Sequence, residues 1–202
     1  MDSLEGMVYI CGSNESMEFL KKNWANLLLI GFILIMILPQ TRKPVQIALN
    51  RIISFSPSVV DQKERDRLES YSWKLVDMDG RQKDFSYSSG RVAIVNLWAT
   101  WCPPCIAEMP SFQKLYRDYG ERVDFYFVSS EDPERLQRFM EKNQYELPVY
   151  LPRTAGPEEL QTNSLPTTYV ISKTGELVVQ ESGSANWNAV GFRRTLDGLL
   201  SE

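Results

Sequence analysis

The chain has 202 residues, with 22 Lys/Arg, 26 Asp/Glu, three cysteines and no histidine. Without histidine it lacks Ser-His-Asp and Cys-His catalysis and His-ligated metals, and three cysteines cannot complete a four-thiolate zinc site within one chain, so we expect no metal or other cofactor. The net charge of −4 provides no basic footprint, and we expect no nucleic-acid partner.

An apolar segment dominates the N-terminal part of the sequence. Residues 1–21 form a polar tail that contains Cys11, and Met17 is an alternative start site. Residues 22–39 follow, and their inner part, Leu27–Leu38, is almost purely apolar. About 17 helical residues span roughly 25 Å, the short end of what crosses a bilayer. No small-x-small cleavage site follows and no polar face interrupts the run, so we expect a transmembrane anchor rather than a signal peptide or a core helix.

Residues 40–70 are predicted to connect this anchor to a folded domain. Val45, Ala48, Leu49, Ile52 and Ile53 recur at helical spacing, with basic residues nearby. This juxtamembrane helix either lies on the membrane surface or packs on the domain. Because Lys and Arg flank the anchor on both sides, charge alone does not set its orientation.

Residues 71–202 alternate between strand and helix patterns. An Asp-Gly pair predicts a β-hairpin turn, apolar runs rich in β-branched residues predict buried strands, and 3–4 spacing predicts helices. The predicted strands are Trp73–Asp77, Gln82–Phe85, Val92–Trp98, Val123–Val128, Val149–Leu151, Pro166–Ser172 and Leu177–Glu181; the predicted helices are Pro103–Tyr119, one starting at Asp132-Pro133-Glu134, and Trp187–Leu200. This order predicts an α/β sheet with helices on both faces and an antiparallel edge, and it places ligand chemistry at the carboxyl ends of the strands.

The motif Cys102-Pro103-Pro104-Cys105 lies between a predicted strand and the helix that follows it. A C-x-x-C pair is often half a zinc site, but no second pair and no histidine would complete one here, and the strand-to-helix setting favours redox chemistry. Cys102 would cap the helix, where free N–H groups stabilise a thiolate, and the two prolines have no N–H to leave unpaired. We therefore expect Cys102 to be the nucleophile and the more shielded Cys105 the resolving thiol.

Over about residues 72–200 the sequence resembles the thioredoxin superfamily, and more narrowly the membrane-anchored TlpA/ResA/CcmG-like thiol-disulfide oxidoreductases. The likeness is carried by VAIVNLWATWCPPCIAEMP (Val92–Pro110), by LPTTYVIS (Leu165–Ser172) with the hairpin and helix after it, and by a helix-strand insert at Glu134–Leu151. It implies a thioredoxin-like fold: a central mixed sheet flanked by helices, with an N-terminal β-hairpin and the TlpA-type insert.

The resemblance also implies roles for particular residues. Pro166 matches the cis-proline that faces the active-site disulfide, which would leave the backbone of Leu165 free to pair with substrate. Trp101 matches the exposed tryptophan beside the nucleophile, whereas Trp98 is expected in the core, and Pro110 looks like the family's helix-kinking proline. The residues expected to bind substrate are Trp101, Pro103, Pro104, Leu165, Pro166 and Thr167.

Two positions depart from thioredoxin itself. Asn96 stands where thioredoxin has a buried aspartate, and an amide cannot take up a proton. Glu108 matches the acidic residue of the C-x-x-C-x-x-E pattern in ResA-like proteins, and it lies one helical turn beyond Cys105. We expect Glu108 to assist deprotonation of Cys105, the alternative being a solvated glutamate on the helix surface.

The resemblance implies a single-pass protein of the cytoplasmic membrane with its catalytic domain on the periplasmic side. The expected activity is reduction of extracytoplasmic protein disulfides, for instance during cytochrome c maturation, and the expected partners are protein disulfide or dithiol substrates and an upstream membrane electron donor. A disulfide oxidase or isomerase would use the same residues, and a non-enzymatic, membrane-tethered thiol-binding module is a further alternative. A thiol peroxidase needs P-x-x-x-T/S-x-x-C, but the matching positions are Val95 and Ala99.

Overall fold

The computed structural model describes residues 23–33, 44–50 and 55–202. The chain divides into two compact units, Met1–Pro44 and Val45–Glu202. Residues 23–33 (α1) and 44–50 (α2) are helical. Across these described ranges, no helix combines the length and the apolar character that crossing a bilayer would need. The predicted tail (1–21) and residues 22 and 34–39 of the predicted anchor lie outside the described residues, so both remain predictions.

A seven-stranded mixed sheet forms the centre of the second unit, with the strand order β2-β1-β5-β4-β3-β6-β7. The strands are β1 (Lys74–Asp77), β2 (Gln82–Asp84), β3 (Ala93–Leu97), β4 (Asp124–Val128), β5 (Val149–Pro152), β6 (Thr167–Ile171) and β7 (Leu177–Ser182). The central β3, β4 and β5 pair in parallel, and the remaining neighbours pair antiparallel. The predicted mixed sheet and both predicted hairpins are therefore confirmed.

Three α-helices connect or follow these strands: α3 (Pro103–Tyr119), α4 (Pro133–Asn143) and α5 (Val190–Ser201). Helix α3 has the predicted bounds, and the Asp132 side chain caps α4 by accepting from two backbone N–H groups of its first turn. Helix α5 begins three residues later than predicted. Residues 186–189 form a turn instead, in which the Asn186 side chain accepts from Asn188 N–H and the Asn186 carbonyl accepts from Ala189 N–H. In this turn the Trp187 backbone N–H donates to Ser111 and its indole N–H donates to Glu108, both on α3.

The two faces of the sheet are covered differently. Along β3, Ile94 packs into one buried cluster, whereas Ala93 and Val95 pack into the other, as the strand period of two requires. The first cluster contains the apolar residues of all three helices α3, α4 and α5. The second contains no α-helical residue of the described ranges and is closed by the segment before β1 and by two 3-10 turns, Phe85–Ser88 and Glu158–Leu160. Among residues 55–202, the prediction of helices on both faces is therefore wrong: α3, α4 and α5 cover one face, and only 3-10 turns lie on the other.

The segment 55–68 runs along the outer side of β7. The Val60 N–H donates to the Val178 carbonyl at 2.9 Å, and the Leu177 N–H donates to the Asp66 carbonyl at 2.8 Å. At its start, the Phe55 carbonyl accepts from Asn186 N–H at 2.8 Å. The C-terminal part of the predicted juxtamembrane linker is therefore fixed to the domain.

Candidate active site

Cys102 and Cys105 form a disulfide at the N-terminus of α3, with their Cα atoms 5.3 Å apart. Cys102 occupies the N-cap position, and its sulfur accepts a hydrogen bond from Cys105 N–H at 3.3 Å. The exposed fraction is 3% for Cys102 and 0% for Cys105. The predicted pair is thus joined by a disulfide, and both residues are buried, with Cys102 slightly less so than Cys105.

The local sequence explains why the pair stands there. Strand β3 ends at Leu97, and a tight turn follows in which Cys102 N–H donates to the Ala99 carbonyl at 3.2 Å. Pro103 and Pro104 fill the first two helical positions, where a backbone N–H would have no partner inside the helix. The first free donor is therefore that of Cys105, and it points at the Cys102 sulfur, where it would stabilise a thiolate.

The Leu165–Pro166 peptide bond is cis. Because Leu97 of β3 pairs with Thr167 of β6, this proline lies beside the turn that leads to Cys102. Pro166 and Thr167 are buried and Leu165 is partly buried. Within residues 55–202, the backbone N–H and carbonyl of Leu165 have no hydrogen-bond partner.

Two tryptophans of the loop have the surroundings that the sequence suggested. Trp101 is 54% exposed and stands next to Cys102, whereas Trp98 is buried against the Phe139 ring. Pro110 lies inside α3, as expected.

A groove of about 680 Å³ opens at the carboxyl ends of β3 and β4, with Trp101 and Leu165 on its walls. The rest of its lining comes mainly from the ends of these strands and from the connection between β5 and β6. This groove was not predicted, because it is built from segments far apart in the sequence. Its lining residues include Trp73, Leu97, Ser129, Glu131, Thr154, Leu160 and Thr162.

Glu108 is buried on α3, so the alternative of a solvated surface glutamate is wrong. One carboxylate oxygen accepts from the Asn96 amide at 2.9 Å, and the other accepts from the Trp187 indole at 2.8 Å and from Ala185 N–H at 3.4 Å. Burial raises the pKa of Glu108 from 4.5 to about 8, although these hydrogen bonds act in the opposite direction. The described residues place no cation against this carboxylate.

Asn96 connects this glutamate to the sheet. Its amide nitrogen also donates to the Thr168 hydroxyl at 2.8 Å, and its oxygen is buried without a partner among the described residues. The sequence singled out Asn96 and Glu108 but missed Trp187 and Ala185. The sequence analysis used Trp187 only as the first residue of a predicted C-terminal helix. Helical spacing carries no information about its contact with Glu108, which lies 79 residues earlier in the chain.

A second glutamate, Glu131, lies on the other side of the active-site loop. Its carboxylate accepts from the backbone N–H and the hydroxyl of Thr100, two residues before Cys102, and it pairs with Arg135. The sequence analysis did not identify this arrangement; the available signal was an acidic residue just beyond the carboxyl end of a buried strand. Over the described ranges, no cluster of three or more Cys, Asp or Glu side chains is arranged to hold a metal ion.

The sequence is similar to one protein family and to individual thioredoxin-like proteins. The model of the AhpC/TSA family matches residues 69–180. The thiol-disulfide oxidoreductase ResA of Halalkalibacterium halodurans is 30% identical over 118 residues, covering 57% of this chain and 67% of that protein. The thioredoxin-like protein YneN of Bacillus subtilis is 28% identical over 164 residues, covering 79% of this chain and 88% of that protein.

Solved structures show the same fold. A thiol:disulfide interchange protein of the thioredoxin family from Chlorobium tepidum superposes with a TM-score of 0.53 at 22% identity, covering 67% of this chain and 97% of that chain. A DsbF homologue from Corynebacterium diphtheriae superposes with a TM-score of 0.54 at 18% identity, covering 72% of this chain and 92% of that chain. The predicted thioredoxin-like fold is thereby confirmed.

Proposed function

The chain belongs to the AhpC/TSA family of thioredoxin-like proteins, and on that premise we propose that it is a thiol-disulfide oxidoreductase that reduces protein disulfides outside the cytoplasm. The observation that carries the proposal is the Cys102–Cys105 disulfide at the N-terminus of α3, with the cis-proline loop beside it. The name of ResA, a thiol-disulfide oxidoreductase of which the match covers 67%, supports the activity.

The reaction starts from the dithiol form of the protein. The Cys102 thiolate attacks one sulfur of a substrate disulfide, forms a mixed disulfide and expels the other substrate sulfur as a thiolate, which takes up a proton. Cys105 then loses its proton and attacks the Cys102 sulfur, which releases the second substrate thiol. Two electrons pass to the substrate, two substrate thiols form, and the protein is left with its own disulfide. A dithiol donor of the membrane reduces that disulfide and is itself oxidised.

Glu108 is the proposed acceptor for the Cys105 proton. A base with a pKa near 8 is well matched to a thiol, whose ordinary pKa is about 8.5. Its position three residues after Cys105 places both residues on the same side of α3. Asn96 and Trp187 hold the carboxylate in place, so they act as positioning residues rather than catalytic ones.

The substrate surface is proposed to combine Trp101 with the cis-proline loop. The unpaired backbone of Leu165 offers one donor and one acceptor to an extended segment, and Pro166 and Thr167 fix that backbone. Pro103 and Pro104 form the adjoining edge of the site, and the groove beside Trp101 receives the flanking substrate residues.

A trap experiment tests the activity. With Cys105→Ser, the mixed disulfide at Cys102 has no resolving thiol, so we expect disulfide-linked adducts in cells, identifiable by mass spectrometry. The wild-type chain should catalyse insulin reduction by dithiothreitol, and Cys102→Ser should form no adduct and catalyse nothing. No insulin reduction by the wild type, together with no adduct from Cys105→Ser, would contradict the proposal and favour a thiol-binding module.

The tether and the compartment are also proposed, from the apolar run Leu27–Leu38 and the nature of the substrates. In a variant with Cys11→Ser and Cys105→Ser, Cys102 is the only cysteine, and brief treatment of the spheroplasts with a membrane-impermeant phosphine, followed by washing, frees it from any mixed disulfide. A membrane-impermeant maleimide should label it in intact spheroplasts, and the chain should stay in the membrane pellet after carbonate extraction. Labelling only after lysis would place the domain on the cytoplasmic side.

A peroxidase function, the other activity associated with this fold, has no support from the site. The two positions where a peroxidase needs its proline and its hydroxyl residue are Val95 and Ala99, and both are buried apolar side chains. An oxidase would use the same cysteines in the opposite direction, and the reduction potential of the couple distinguishes the two.

A further inference from the structure

The loop that carries Cys102 is held by a charged pair from outside it. Thr100 belongs to the turn between β3 and α3, Glu131 follows the end of β4, and Arg135 lies in the first turn of α4. These three side chains meet although 31 residues separate Thr100 from Glu131. The pair therefore joins the active-site loop to the neighbouring strand-helix unit.

The contacts are directed at one residue. One oxygen of Glu131 accepts from Thr100 N–H at 2.5 Å, and the other accepts from the Thr100 hydroxyl at 2.8 Å. Arg135 Nε donates to the same hydroxyl at 3.0 Å and lies 3.1 Å from the Glu131 carboxylate. The side chain of Glu131 is 12% exposed and that of Arg135 is 55% exposed. The pair thus accepts from both the backbone N–H and the hydroxyl of Thr100 and donates to the same hydroxyl.

The contact between Glu131 and Thr100 lies close to the nucleophile Cys102. Two residues of chain span at most about 7 Å, and the turn from Ala99 to Cys102 is closed by its own hydrogen bond. A carboxylate bound at Thr100 N–H therefore lies within roughly one Debye length of the Cys102 sulfur. The other titratable side chains on these elements include Asp132, which caps α4, the solvent-exposed Glu134–Arg138 pair on α4 and the buried Glu108 on α3.

We propose that Glu131 and Arg135 are positioning residues for the reaction, which fix the turn that presents Cys102 and set the stability of its thiolate with opposing charges. The inference rests on the proposed redox role of Cys102. The Glu131 charge disfavours the thiolate, whereas the Arg135 charge favours it and binds the carboxylate that orders the turn. The balance of these two charges sets the reduction potential of the Cys102–Cys105 couple.

Two single substitutions should shift the redox equilibrium in opposite directions, and this difference distinguishes an electrostatic role from a purely mechanical one. Glu131→Gln keeps an oxygen for Thr100 N–H but removes the negative charge, so the reduced form should gain stability. We expect the equilibrium constant with glutathione to shift about ten-fold towards the dithiol, which is about 30 mV for a two-electron couple. Arg135→Gln leaves the carboxylate without its cation, and the shift should be of similar size towards the disulfide.

The measurement is the redox equilibrium of the full chain with glutathione buffers, in a Cys11→Ser background. The pH midpoint of Cys102 alkylation should move down in Glu131→Gln and up in Arg135→Gln, and the double variant should return close to the wild type. Glu134→Gln removes a charge from the same turn of α4, at a side chain with no contact to the loop, and should stay within two-fold of the wild type. Arg135→Lys keeps the charge and provides a second variant if Arg135→Gln is poorly folded.

Each outcome decides something. Shifts of the same sign in both single variants, or shifts no larger than that of Glu134→Gln, would overturn the electrostatic role and leave only a mechanical clamp. Arg135→Lys with the potential expected of Arg135→Gln would overturn it as well. If the wild-type chain itself fails to equilibrate with glutathione, the redox function fails instead, so the two failures are distinguishable.

Discussion

Two glutamates flank the active-site disulfide, and their surroundings are opposite. Glu131 lies near solvent beside an arginine, and it holds the turn in front of Cys102. Glu108 lies in the interior behind Cys105, where only neutral donors reach it. Burial without a cation raises the pKa of Glu108 to about 8. One residue type thus supplies a fixed charge on the nucleophile's side and a proton acceptor on the resolving side.

The largest expected effect comes from removing the interior carboxylate. Glu108→Gln keeps the shape of the side chain but cannot take up a proton, so we expect the rate of insulin reduction to fall about 100-fold, a typical contribution of a positioned base. The pH profile of the rate should also lose its inflection near pH 8. Glu121→Gln on the exposed surface is the matched control. A variant with an unchanged pH profile would remove Glu108 from the mechanism.

The next effect is the pH dependence that Glu108 gives to the free energy of unfolding. The folded-state pKa of Glu108 lies above its ordinary value of 4.5, so the folded protein binds the extra proton between about pH 4.5 and pH 8. The stabilisation is fully present at the low end of that window and is lost as the pH rises through the folded-state pKa. The free energy of unfolding should fall by up to about 1.4 kcal/mol for each pH unit. Urea titrations at pH 5, 6.5 and 8 check this slope, and Glu108→Gln should lack it.

A smaller effect is expected from Trp187→Phe. The substitution removes the indole donor that lowers the Glu108 pKa, so the inflection of the rate profile should move to higher pH, while the packing loss costs roughly 1–3 kcal/mol. Trp73→Phe is the control for the pH of the inflection, because it also loses an indole hydrogen bond but lies in the cluster on the opposite face of the sheet. Trp73 also lines the groove, so this variant should change the rate without moving the inflection. An inflection that moves equally in both variants would contradict the assignment.

The smallest effect is expected from Thr100, which contacts Glu131 and Arg135 in the turn before Cys102. Thr100→Val removes the hydroxyl that both charges of the pair contact but keeps the backbone bond to Glu131, so we expect a two- to three-fold fall in the rate of Cys102 alkylation. Thr100→Ser keeps the hydroxyl and should match the wild type. Raising the salt concentration should reduce the difference between wild type and Glu131→Gln, because the pair reaches solvent through Arg135 and is partly screened, whereas the effect of Glu108→Gln should persist. Equal salt sensitivity of the two variants would contradict the contrast between the glutamates.

The sequence predicted what is locally encoded. The start of α3 follows from Cys102 and from Pro103 and Pro104, which suit the first helical positions because no intrahelical N–H bond is needed there. The surroundings of Trp187 do not follow from the local sequence, because Glu108 and Ser111 of another helix accept its two N–H groups. For the same reason, spacing placed Glu108 near Cys105, but its burial and its partners depend on residues up to 79 positions away.

The pairing of segment 55–68 with β7 has a consequence for anyone who isolates the domain. A fragment that starts at residue 71 would keep every strand and both cysteines, yet it would leave the N–H and carbonyl groups of β7 open along one side. An open edge of this kind invites edge-to-edge association between copies. A fragment that begins before Phe55 keeps the segment that pairs with β7. We expect this fragment to be monodisperse in solution.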